Sequence, residues 1–111
     1  MIQHGVHGGD NQLFSFEPKQ DGWGVLRAKH SGKVLDVSGV RKDSGAPVIQ
    51  WDEHGGDNQL FRLEPKQDGW SVLRVKHSGK VLDVSGGSKD FCALVIQWDE
   101  HGGDNQLFKL T

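Results

Sequence analysis

The sequence is short of the residues that several classes of site depend on. It has a single cysteine, Cys92, which excludes an internal disulfide framework and a cysteine-based zinc site. Its 111 residues carry 13 Lys and Arg against 15 Asp and Glu, a net charge of −2. Without a basic excess, nucleic acid is not an expected partner. No apolar run approaches the roughly 20 residues of a membrane-spanning helix, so membrane insertion is not expected either.

The first residues of the chain, 1–5, have neither the basic region nor the apolar stretch of a secretory signal. The compartment therefore stays open between the cytoplasm and a secreted or excised fragment. The length fits one small domain, and we expect a single domain over residues 1–111.

Internal repetition is the strongest signal in the sequence. The string His-Gly-Gly-Asp-Asn-Gln-Leu-Phe occurs three times, at 7–14, 54–61 and 101–108, with a period of 47 residues. Two further strings, starting at Glu17 and Lys29, recur with the same shift. The domain therefore divides into a partial repeat, a full repeat and a nearly full repeat, at 1–17, 18–64 and 65–111.

Each repeat is typical of short β-strands. Gly, Pro, Asn and Asp interrupt the chain about every ten residues, and no stretch keeps a 3.6-residue period. The pattern predicts four strands per repeat, at Leu60–Leu63, Trp70–Lys76, Val81–Val84 and Val95–Asp99. With Ile2–His4 in the partial repeat, ten strands are expected in an all-β architecture.

The repeat resembles that of the ricin-type (R-type) β-trefoil lectins, a family of carbohydrate-binding modules. The resemblance rests on Gly-Lys-Val-Leu-Asp-Val-Ser-Gly at 32–39 and 79–86, and on the segment from Val-Ile-Gln-Trp to Gln-Leu-Phe at 48–61 and 95–108. The Gln-x-Trp signature of the family is Gln-Leu-Phe here, and we expect Phe to be tolerated in a core role because both rings are large and apolar.

The resemblance implies a fold of twelve strands, of which this chain supplies ten. An open sheet edge exposes unpaired backbone groups and invites pairing with another chain. We therefore expect either a gapped single trefoil or, as the partner of this chain, a second copy in a homo-oligomer completed by strand exchange or edge pairing. Propeller blades closed by oligomerisation are a further possibility for four-stranded units.

A sugar site needs a flat apolar plate, an acceptor for hydroxyl groups and a nearby donor. The repeat offers the tryptophan of the Val-Ile-Gln-Trp strand as the plate. The aspartate that follows Val-Leu is the acceptor, and the asparagine beside the repeated glutamine is the donor. The resemblance places the family's ligand aspartate, platform aromatic and ligand asparagine on these same positions. We also expect His54 and His101 at the lip of the sites, where each would add a contact to a hydroxyl group. The two predicted sites are Asp36, Trp51, His54 and Asn58, and Asp83, Trp98, His101 and Asn105.

The partial repeat keeps Asn11 but has His4 in place of Trp, so at most two sites per chain are expected. The resemblance implies non-enzymatic binding of galactose-type or related sugars on glycans or glycoconjugates. No cofactor, metal or calcium is required by any motif. The alternative function is a self-assembling structural repeat, or an engineered scaffold, without a dedicated ligand.

Structural interpretations of the same residues remain open at this point. In the structural interpretation, the two aspartates bond the backbone of the following Ser-Gly turn, and the two tryptophans lie in the core. The asparagines have the alternative of a turn role, which we favour for the neighbouring glutamines Gln12, Gln59 and Gln106. A glycosidase would need two carboxylates flanking one bond, and the adjacent Asp52 and Glu53 point to opposite faces of a strand.

Overall fold

The computed structural model describes residues 14–29, 31–84 and 95–108, and in these the chain forms eight strands. None of these residues belongs to a helix long and apolar enough to cross a bilayer. The strands are β1 Phe14–Gln20, β2 Trp23–Ala28, β3 Val34–Val37, β4 Val48–Trp51, β5 Phe61–Gln67, β6 Trp70–Val75, β7 Val81–Val84 and β8 Val95–Trp98.

The eight strands form one antiparallel sheet in the order β4-β3-β2-β5-β6-β7-β8, with β1 paired to β2. Strands β5 to β8 start 47 residues after strands β1 to β4, so the sequence repeat is also a structural repeat. The two repeats meet where β2 pairs with β5, at Gly24 opposite Phe61. The second strand of one repeat is thus paired with the first strand of the next in the sheet.

The hairpins between the first two strands of each repeat turn on Asp-Gly. Asp21 and Gly22 have φ of 53° and 84°, and Asp68 and Gly69 have φ of 51° and 83°. Two consecutive positive φ values define the type I′ turn, which Asp-Gly favours because its twist matches that of the strands. The Asp-Gly signal in the sequence therefore fixes these two hairpins.

The first strand of the repeat is longer than the sequence pattern predicts. The prediction ended it at Leu63, whereas β5 continues through Pro65 to Gln67. Proline lacks the N–H that a ladder needs, but the register of β5 and β6 shifts between Pro65 and Gln67. Such an irregularity accommodates proline without losing the pairing on either side.

The core is shared between the two repeats. Phe61, the aromatic residue of Gln-Leu-Phe, is fully buried, as its expected core role requires. Its cluster contains side chains from both repeats: Leu26, Leu35, Val37, Ala46, Val48, Leu73, Val75, Leu82 and Val95. A sheet that continues from one repeat into the next around a common core agrees with the trefoil and not with separate propeller blades.

Eight of the ten expected strands lie in the described residues. The strand predicted at Ile2–His4 lies outside them. Near the other end, Phe108 forms an isolated antiparallel bridge with Ser71, which is where the last strand was expected. The described strands leave the barrel incomplete.

Segment 41–47 joins one repeat to the other. It runs along the outer edge of β8, where Gly45 N–H donates to the Gln97 carbonyl at 2.9 Å and Gln97 N–H donates to the Ala46 carbonyl at 3.0 Å. The buried Gln97 amide also donates to the carbonyls of Arg41 and Asp43 at 2.9 and 2.8 Å. These bonds close the edge of β8.

The corresponding edge of β4 is not covered by any residue that the structure describes. Gln50 occupies in β4 the position of Gln97 in β8, and its side-chain oxygen accepts from the Ser31 hydroxyl at 2.7 Å. Within the described part of the chain, no group bonds the backbone N–H and C=O of Gln50 as segment 41–47 bonds those of Gln97.

Candidate functional site

The β3–β4 hairpin brings an acid and an indole to one face of the sheet. Asp36 lies opposite Ile49, and Val34 lies opposite Trp51. Because alternate residues of a strand share a face and opposite residues of a pair do too, Asp36 and Trp51 are on the same side. The short Val-Leu-Asp-Val and Val-Ile-Gln-Trp strings thus determine the frame of the predicted first site.

The buried amide of Gln59 ties the loop after β4 to this face. Its Nε2 donates to Asp36 Oδ2 at 2.8 Å and to the Asp52 carbonyl at 2.9 Å, and its Oε1 accepts from His54 N–H at 2.9 Å. Asn58, also buried, donates from Nδ2 to the Val37 carbonyl at 3.2 Å. The glutamine therefore has the structural role favoured from the sequence, and Asp36 bonds this glutamine, a side chain distant in sequence.

The ring of His54 is fixed in one orientation at the edge of the site. Its Nδ1 accepts from Gly56 N–H at 3.0 Å, so in the neutral ring the proton is on Nε2, which lies 3.3 Å from Asp36 Oδ2. Gly55 supplies a φ of 81°, and a Cβ at Gly56 would lie 2.6 Å from His54 Cε1 and 2.7 Å from Asn58 Oδ1. The Gly-Gly pair thus serves two separate steric needs.

The second predicted site repeats this arrangement. Asp83 Oδ2 accepts from Gln106 Nε2 at 2.9 Å and lies 3.4 Å from His101 Nε2. Here Asn105 Nδ2 also donates to Asp83 Oδ1, at 3.0 Å. In the first site, no described residue donates to the equivalent oxygen of Asp36. Both predicted sets of four residues are therefore brought together, with this one difference in bonding.

The two tryptophans predicted as platforms lie at the surface. Trp51 is 56% exposed and Trp98 is 43% exposed. Trp23, interpreted from the sequence as a packing residue, is half-buried, with the Arg62 guanidinium 4.5 Å from its ring centre. Trp70, interpreted in the same way, is 40% exposed, so a packing role describes Trp23 better than Trp70.

A charged pair that the sequence analysis missed holds the segment after each platform. Arg27 on β2 bonds Glu53 at 2.5 Å, and Lys19 lies 3.2 Å from the same carboxylate. The hydrogen bond from Arg27 is the main cause that lowers the pKa of Glu53, followed by that from Lys19. Arg74 and Glu100 repeat the pair in the other repeat. The recurring spacing of 26 residues between arginine and glutamate was the available signal.

The arrangement combines polar and apolar groups on one face of the sheet. A buried carboxylate and the N–H of a more exposed histidine lie on the face that also carries an exposed indole. Asp52 is ion-paired with Lys33 at 2.9 Å, and Glu53 has the partners given above. Among the side chains that the structure describes, no group of three or more His, Cys, Asp and Glu is arranged to hold a metal ion. His4 and Asn11 of the partial repeat lie outside the described residues.

Comparison with protein families decides the classification. Residues 10–98 and 57–111 match the family model described as "Ricin-type beta-trefoil lectin domain-like". The chain belongs to the ricin-type β-trefoil lectin family. A search of the curated proteins found no match.

Solved structures include close relatives of this ricin-type β-trefoil. The designed threefold-symmetric protein ThreeFoil is 46% identical, with a TM-score of 0.94 over 97% of this chain and 77% of its own. An exo-β-1,3-galactanase from Clostridium thermocellum is 31% identical, with a TM-score of 0.90 over 93% of this chain, which spans only 22% of that enzyme. SeviL, solved with asialo-GM1 saccharide, is 23% identical with a TM-score of 0.67 over 94% of this chain and 75% of its own, and shows the fold alone.

Proposed function

We propose that the chain is a non-enzymatic carbohydrate-binding module for galactose-type sugars, with two sites per chain. The first site consists of Asp36, Trp51, His54 and Asn58, and the second of Asp83, Trp98, His101 and Asn105. The observation that carries the proposal is that an exposed indole shares a sheet face with a buried acid twice, 47 residues apart. Family membership supports the same class of ligand.

The proposed ligand follows from the chemistry of the two faces. A pyranose presents a C–H face that packs on an indole, and vicinal hydroxyls that bond a carboxylate. Hydrogen bonds to a charged acceptor are roughly twice as strong as neutral ones. Galactose is favoured among sugars because the chain is 31% identical to part of an exo-β-1,3-galactanase. The galactanase and the mosquitocidal holotoxin among the neighbours are much longer than this chain, which spans 22% and 13% of them.

A calorimetric titration with lactose tests the proposal. We expect saturable binding with a stoichiometry of two, which falls to one in Trp51→Ala and in Trp98→Ala. Asp36→Asn is the conservative variant for the acid, because its oxygen can still accept from Gln59 while the other acceptor is lost. Loss of the first site in Asp36→Asn, with an unchanged melting curve, supports the assignment. Absence of binding to lactose and to a panel of galactosides would refute it.

Self-association is the second part of the proposal, and the edge of β4, which no described residue covers, favours it. The backbone groups of Gln50 point outward as those of Gln97 do, but segment 41–47 covers only the latter. Edge strands in this state pair readily with other chains. Light scattering across micromolar concentrations should give a mass above 12.3 kDa, and a strictly monomeric mass would count against self-association. An assembly that binds no glycan would instead favour a structural repeat.

A further inference from the structure

The two candidate sites differ in what surrounds their indoles. Segment 41–47 of the first full repeat lies along β8 of the second, and a Cβ at Gly45 would lie 3.9 Å from Trp98 Cζ3. Gly45 therefore borders the rim of the Trp98 ring. Trp51 is the more exposed of the two indoles, at 56% against 43%.

Backbone pairing with β8 holds Gly45 and the residues that follow it in place. Its N–H donates to the Gln97 carbonyl at 2.9 Å, and Gln97 is the residue directly before Trp98. The next two residues, Ala46 and Pro47, continue along the same edge, with Pro47 bridged to Ile96. The backbone of Gly45 is therefore held beside the indole by the ladder that joins the two repeats. An added Cβ would make an ordinary contact with the ring rim at 3.9 Å, so the further atoms of a longer side chain would start from the edge of the ring.

We infer that Gly45 is a specificity-determining residue for the site of the neighbouring repeat, because its lack of a side chain keeps the Trp98 plate accessible. This inference rests on the proposed sugar-binding function and deepens it. The Trp98 site is bordered by a residue of the preceding repeat, and its indole is the less exposed of the two. The two sites of the chain are therefore unequal, although their Val-Leu-Asp-Val and Val-Ile-Gln-Trp strings are identical.

The test adds a side chain at Gly45 and reads the two sites separately. Trp51→Ala leaves only the Trp98 site, and Trp98→Ala leaves only the Trp51 site. Gly45→Asn is introduced into each, because Asn is the residue that best tolerates a positive φ, here 93°. The matched control is Gly32→Asn, where φ is 73° and nothing lies within 4 Å of an added Cβ.

With lactose as the probe, Gly45→Asn should weaken binding by about tenfold in the Trp51→Ala chain. It should leave binding unchanged in the Trp98→Ala chain, and Gly32→Asn should be silent in both. Unchanged binding at the Trp98 site, or an equal loss at both sites, would overturn the role of Gly45 while leaving the lectin function intact. If neither single-site chain nor the parent chain bound any galactoside, the function and the inference would fall together.

Discussion

Val40 has a backbone conformation that does not suit its side chain. Its φ is 56°, and 56% of the residue is exposed. The left-handed region costs a residue with a Cβ roughly 1–2 kcal/mol, and a β-branched residue is a particularly poor fit there. Because the side chain is mostly in solvent, replacing it with glycine would sacrifice little buried area. Glycine stands at the equivalent place of the other repeat, at Gly87.

The free-energy change for Val40→Gly follows from two opposing effects. Relief of the left-handed conformation stabilises the fold by about 1–2 kcal/mol. The greater freedom of glycine in the unfolded chain destabilises it by about 0.4–1 kcal/mol. The net expectation is a gain of about 0.5–1 kcal/mol, which raises Tm by roughly 2–6 °C in a domain of this size.

Differential scanning calorimetry and urea unfolding of the parent and variant measure this gain. Val40→Ala is the control, because it removes the β-branch but keeps a Cβ at the positive φ, so its Tm should rise less than that of Val40→Gly. A Val40→Gly chain with a Tm equal to or below that of the parent would refute the argument, as would a larger gain in Val40→Ala than in Val40→Gly.

Three further perturbations have defined outcomes. Gly56→Ala should remove one lactose site while leaving Tm within a few degrees, because the φ of −74° at this position suits alanine but the new methyl group would displace His54. Calorimetric titration checks the number of sites, and a variant with two intact sites would contradict this prediction. Gln106→Leu should lower the free energy of unfolding by about 2–4 kcal/mol, since it leaves buried polar groups without partners; urea unfolding measures it, and a loss below 1 kcal/mol would contradict it. The hydrogen bond from Arg74 is the main cause that lowers the pKa of Glu64. The stabilisation by the ionised Glu64 is therefore present above the unfolded pKa of about 4.3 and is lost as pH falls through the lower folded pKa. Glu64→Gln should flatten the fall of the urea midpoint below pH 4, and curves of urea midpoint against pH that run parallel for parent and variant would contradict this.

Local pattern predicted much of the strand arrangement. Val81–Val84 has the same bounds in the structure as in the prediction, because its Val-Leu-Asp-Val string stands between two Ser-Gly pairs in the sequence. The end of β5 was wrong by four residues, since the Glu-Pro-Lys-Gln string was interpreted as leaving the strand. A proline ends a regular ladder, but a shift in register at Pro65 lets the pairing continue. That irregularity depends on the partner strand and has no local signal.

The candidate site was predictable in its members and less so in its bonding. Repetition and resemblance to a known family identified Asp36 and Trp51, and the hairpin register explains why they share a face. The contact of His54 Nε2 with Asp36, at 3.3 Å, depends on how the loop folds back and was not predicted. Nor was the approach of Gly45 to Trp98, because it depends on how one repeat packs on the next.

The behaviour of the four indole N–H groups in a two-dimensional ¹H–¹⁵N spectrum, recorded during a lactose titration, tests the central claim most directly. Each signal can be assigned by single Trp→Phe variants. We predict that the signals of Trp51 and Trp98 shift saturably while those of Trp23 and Trp70 stay in place. A titration in which no indole signal moves, or in which only Trp23 and Trp70 respond, would contradict sugar binding on the two exposed plates.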